Sequence, residues 1–66
     1  MAADFTPPVN FDEAMETIQE AVASIEADRE KTNNGVAKAG RRVRANLQTI
    51  AKTCKEARKL VTELKK

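Results

Sequence analysis

The stretch GRRVRANLQTIAKTCKEARKLVTELKK, residues 40–66, decides the fold. Its apolar residues Val43, Leu47, Ile50, Cys54, Ala57, Val61 and Leu64 follow one another at steps of four and three, the repeat of one face of an α-helix. At about 100° per residue, Arg41, Lys52, Lys55, Lys59 and Lys66 fall almost opposite that stripe, with Arg42, Arg44 and Arg58 on its shoulders. Lys38 extends the basic set one turn toward the N-terminus. A helix divided in this way buries one side against protein and holds the other out to something negatively charged.

Upstream, Thr32-Asn33-Asn34-Gly35 is the strongest break in the chain. Asparagine and glycine tolerate the left-handed conformation that ends helices, and Asn34 could also cap a following one. Before the break, Phe11, Met15, Ile18, Val22 and Ile25 recur at steps of four and three, while Asp12, Glu13, Glu16 and Glu20 lie on the other side. Asn10 is a good N-cap with Glu13 three residues on, a variant of the capping box. The expectation is all-α: an acidic helix from about residue 10 to about residue 32, a polar turn, and the basic helix. Two such helices form an antiparallel hairpin, packed through the two stripes just named. The rival is one unbroken helix, because the repeat set by Met15 and Val22 continues through Arg29, Val36, Val43, Ile50, Ala57 and Leu64 as a coiled-coil seam. Gly35 in a polar run, and Arg29, Thr32 and Asn46 on the seam, favour the hairpin.

Residues 1–9 read as an extended N-terminal arm, because Pro7 and Pro8 hold their neighbours out of the helical region. Phe5 and Val9 could anchor that arm on a neighbour. Residues 10–66 make up the folded domain. Below about 70–80 residues a single core seldom supplies more than about 3–5 kcal/mol. Two thin stripes also leave their flanks open, so a homo-oligomer, such as a dimer packed as a four-helix bundle, is the expected completion.

Charge divides the chain in two. Before Thr32 eight acids stand against Arg29 and Lys31; after it ten bases stand against Glu56 and Glu63. No histidine, tryptophan or tyrosine is present. The absence of histidine and of ligands at metal spacing points away from catalysis, cofactors and small-molecule substrates. The one cysteine, Cys54, excludes an intrachain disulfide; it reads as a small buried hydrophobe or as an intersubunit disulfide across a symmetric seam. Neither a signal peptide nor a membrane span is visible, and the apolar face lacks the aromatics of a membrane-surface helix. An intracellular location, or one inside a packaged particle, is expected.

The basic face could be a solvated surface alone. Three features point instead to nucleic acid. Acids are nearly absent from it, arginine concentrates at Arg41, Arg42 and Arg44, and Gln48, Thr49 and Thr62 add neutral donors on the same side. No aromatic interleaves the bases, which argues against single-strand stacking. Duplex DNA held by its phosphates, without sequence preference, is the implied partner, through Lys38, Arg41, Arg42, Arg44, Lys52, Lys55, Arg58, Lys59 and Lys66.

The run Gly35…Arg42-Val43-Arg44…Lys52…Lys55…Arg58-Lys59…Lys66 resembles the core of the chlamydial linker-histone-like proteins, small DNA-condensing proteins with relatives in other bacteria and in some large DNA viruses. The resemblance implies a histone-like, nucleoid-associated protein that organises or compacts a genome, with Arg42, Arg44, Lys52, Lys55, Arg58 and Lys59 as the matching basic positions. Those proteins carry a long lysine- and alanine-rich tail after this core. The sequence here runs to Lys66, so weaker condensation is expected. The second reading is a small helical structural protein of a larger assembly, such as a minor capsid component in the virion of a DNA virus.

Overall fold

The computed structural model describes residues 6–64 and contains two α-helices, with no strand among the described residues: α1, Phe11–Asn33, and α2, Ala37–Leu64. The arm residues 1–5, including Phe5, and the bases Lys65 and Lys66 lie outside the described residues.

The start of α1 is fixed reciprocally. Asn10 is extended, with φ −144° and ψ 175°, and its side chain accepts a hydrogen bond from the Glu13 amide at 2.8 Å. The Glu13 carboxylate reaches back and accepts the Val9 amide at 2.9 Å. Two amides that the helix leaves without intrahelical partners are thereby satisfied, and Asp12 and Glu13 complement the positive end of the helix dipole.

The end of α1 is a Schellman turn. Gly35 takes φ +83°, its amide donates to the Thr32 carbonyl, and the Val36 amide donates to the Lys31 carbonyl, both at 3.0 Å. Asn34 closes α1 at its C-cap instead of capping α2, because the left-handed residue that re-aims the chain follows it. Val36 therefore precedes α2, and its carbonyl accepts the Gly40 amide.

Val9 and Phe11 lie with Leu60 and Leu64 at one end, Ala21 with Asn46 and Thr49 in the middle, and Asp28 with Arg42 near the turn. The helix pair measures 47 × 19 × 13 Å.

The line of closest packing differs from the expected stripes. On α1 the buried residues are Ala14, Ala21 and Asp28, seven apart, with Ile18, Ile25 and Thr32 half-buried between them. On α2 they are Ala39, Thr53 and Ala57, with Val43, Asn46, Ile50 and Leu60 half-buried. Both sets keep the four–three repeat, so each is a heptad seam in its own right. Ile18, Ile25, Val43, Ile50 and Ala57 belong to the expected and the observed seams alike. Phe11, Met15, Val22, Leu47, Cys54, Val61 and Leu64 do not: all remain exposed, Leu47 at 53% and Leu64 at 74%. The physical reason is size. Alanine lets two helices approach along a narrow line, and Phe11, Met15, Val22, Leu47 and Val61 are turned onto a flank that no other described element covers, while Leu64 lies on the line itself, seven residues after Ala57, and is exposed as the last residue of α2. Cys54 goes with them and is an exposed free thiol in this chain, not a buried one.

Candidate nucleic-acid interface

The helix pair has two broad faces and two edges. On one broad face a shallow groove is lined by Phe11 and Ile18 of α1 and Cys54, Ala57, Arg58 and Val61 of α2, so the exposed apolar flanks of both helices open on the same side. The other broad face is polar, with Thr17, Glu20 and Ser24 of α1 near Asn46 and Thr49 of α2. The two edges follow from helical geometry. About 180° from each buried line stand Asp12, Glu16 and Glu30 on α1, and Arg41, Lys52, Lys55 and Lys59 on α2. One edge is acidic and the other basic.

Lys38, Arg41, Arg42, Arg44, Lys52, Lys55, Arg58 and Lys59 are all exposed. They do not share one role. Arg42 turns toward α1, where its Nε donates to Asp28 Oδ2 at 2.9 Å and its Nη2 to Asp28 Oδ1 at 2.8 Å. This two-pronged pair ties the helices together about two turns from the bend, with Asp28 buried and the Arg42 side chain half exposed. The Arg42 hydrogen bonds hold the Asp28 carboxyl below its ordinary value, against the cost of burial, and Asp28 raises Arg42 in return. Lys59 lies 3.6 Å from Glu56 on its own helix, an exposed pair of small energetic weight.

The start of α2 adds to the positive edge. Its first turn contains Lys38 and no acid. A helix N-terminus already carries partial positive charge, so this lysine is poorly placed for the isolated helix and well placed for an anion.

Asp28 was not expected at the helix interface. Its signal was present in the sequence: it falls seven residues after Ala21 and fourteen after Ala14. A carboxylate on such a line requires a partner, and a forked guanidinium supplies both hydrogen bonds.

The class defined by this fold is a small all-α protein that presents an edge of charge. Among the described residues no cluster of His, Cys, Asp or Glu could hold a metal ion, and no helix is long and apolar enough to cross a membrane. The family described as histone H1-like protein Hc1 matches residues 12–66, from the first turn of α1 to the last residue, and the chain belongs to that family. No curated protein and no solved structure matches it.

Proposed function

We propose that this protein is a histone-like, nucleoid-associated DNA-binding protein that holds duplex DNA by its phosphates and helps to organise a genome. The observation that carries the reading is the basic edge of α2: Arg41, Lys52, Lys55 and Lys59 recur along one side of a 28-residue helix, with Lys38 at its dipole-positive start. The match to a histone H1-like family supports it. The unit that binds is the antiparallel hairpin, since Gly35 and the Asp28–Arg42 pair both favour the bend over one continuous helix. Binding of this kind reads no bases; it follows the phosphate spacing and tolerates any sequence.

The test is a titration of a short duplex at several salt concentrations. With about 6 phosphates neutralised, log affinity falls against log salt with a slope near −5. Arg41→Ala with Lys52→Ala and Lys59→Ala flattens that slope by about 3 and weakens binding alike on every sequence. An affinity indifferent to salt, or unchanged in the triple variant, refutes the reading. Arg42 is omitted from the triple variant because its loss would also remove the tie to Asp28.

A further inference from the structure

Charge on α2 is interrupted once. Between Arg44 and Lys52 stand seven uncharged residues, 45–51, whereas elsewhere in the helix no uncharged run exceeds three. The interruption falls on the basic edge itself. At about 100° per residue that edge runs Arg41, Arg44, Gln48, Lys52, Lys55, Lys59, so Gln48 is the one neutral position within it. Ala45 and Ala51 stand on either side of Gln48, and all three are exposed. The middle of the edge therefore has a low profile, one carboxamide between two methyl groups. The helix does not require this. Lysine and arginine at position 48 would serve it as well as glutamine does, so the neutral residue reflects what the edge meets.

A helix that follows one strand of a duplex meets negative charge throughout, about one phosphate per 3.4 Å of axis on that strand. A blank of seven residues would leave phosphates there without a base. A helix that crosses a groove meets no phosphate over it, and the length of the blank selects the groove. Arg44 and Lys52 are eight residues apart, about 12 Å at about 1.5 Å per residue. The major groove is about 12 Å wide and the minor groove about 6 Å. The blank fits the first and overshoots the second by about one helical turn. Arg42 does not fill it, because its guanidinium is turned to Asp28 on α1. Nor does α1 obstruct the approach, since its outer edge of Asp12, Glu16 and Glu30 points away from the basic one.

We propose that α2 crosses the major groove, with Arg41 and Arg44 on the phosphates of one strand, Lys52, Lys55 and Lys59 on those of the other, and Gln48 over the base edges between them. The placement rests on the DNA-binding reading above and adds to it which groove is spanned and which residue faces the bases. A carboxamide both donates and accepts, so Gln48 meets a complementary group in the major groove of any sequence, and the helix is seated without a base being selected.

Photo-attachment tests the placement. A benzophenone is carried on Gln48→Cys in the full chain, with Cys54→Ser to leave one thiol, and irradiated on an alternating A·T duplex. The expected products are adducts on the thymine 5-methyl group, which lies in the major groove, about ten-fold over adducts on deoxyribose. The same probe on Lys59→Cys, also with Cys54→Ser, attaches to deoxyribose. Deoxyribose adducts from position 48 in the proportion seen from position 59 overturn the crossing. A second measurement uses the unlabelled wild-type chain. On a duplex bearing a glucosyloxymethyl group at C5 of every thymine, which fills the major groove and leaves the phosphates unchanged, its affinity falls about ten-fold or more, and equal affinity for the two duplexes overturns the placement. The salt titration on the unmodified duplex separates the two levels. A slope near −5 with either adverse result leaves the DNA-binding reading standing and removes only the groove, whereas an affinity indifferent to salt overturns both.

Discussion

Thr53→Val should make the protein more stable. Thr53 is fully buried in the seam, and its Oγ1 has no hydrogen-bond partner. A buried polar group left unsatisfied costs about 1–3 kcal/mol, and replacing it by an apolar group of the same shape removes that cost. Valine has the shape of threonine and a similar helix propensity, so neither packing nor backbone offsets the gain. The expected stabilisation is about 1 kcal/mol, the low end, because the hydroxyl retains the option of turning toward a carbonyl in the preceding turn of its own helix. For a chain of this size that raises the midpoint of thermal unfolding by about 4–8 °C. Urea unfolding followed by far-UV circular dichroism measures it, at one fixed chain concentration because association would shift the midpoint. Thr53→Ser is the matched control: it keeps the hydroxyl and removes one methyl, and should destabilise by about 1 kcal/mol. A midpoint for Thr53→Val at or below that of wild type refutes the reasoning, since it would mean that the hydroxyl contributes to the seam.

Three further outcomes follow from the ends of α1 and its tie to α2. Asn10→Ala removes the acceptor for the Glu13 amide and should lower stability by about 1 kcal/mol in the same urea assay. Gly35→Ala meets no atom within 4 Å, so its cost is the left-handed backbone alone, about 1–2 kcal/mol, with no change in the native spectrum. Asp28 ionises below its ordinary value of 3.8 in the folded chain, because the Arg42 hydrogen bonds favour its charged form. Its contribution is therefore complete above that ordinary value and is lost as pH falls through the lower, folded one. Asp28→Asn should remove this part of the acid limb in a stability–pH profile, and an identical limb in the variant would contradict the assignment.

The two helices, the bend at Gly35 and the cap at Asn10 were legible because each depends on chemistry local to a few residues. The seam was not, and the reason lies in alanine. On α1 the lines Ala14–Ile18–Ala21–Ile25 and Phe11–Met15–Ile18–Val22 have the same period and differ by a rotation of the helix. Ranking by bulk selects the second, and ranking by how closely two backbones can approach selects the first. A sequence pattern reports that a wide sector is apolar, but only a partner determines which part of it is the line of contact. The same limit applied to the basic residues. Their spacing showed a charged edge, yet Arg42 could be separated from its neighbours only once Asp28 was found buried opposite it. The small-residue seam thereby leaves the large side chains outside.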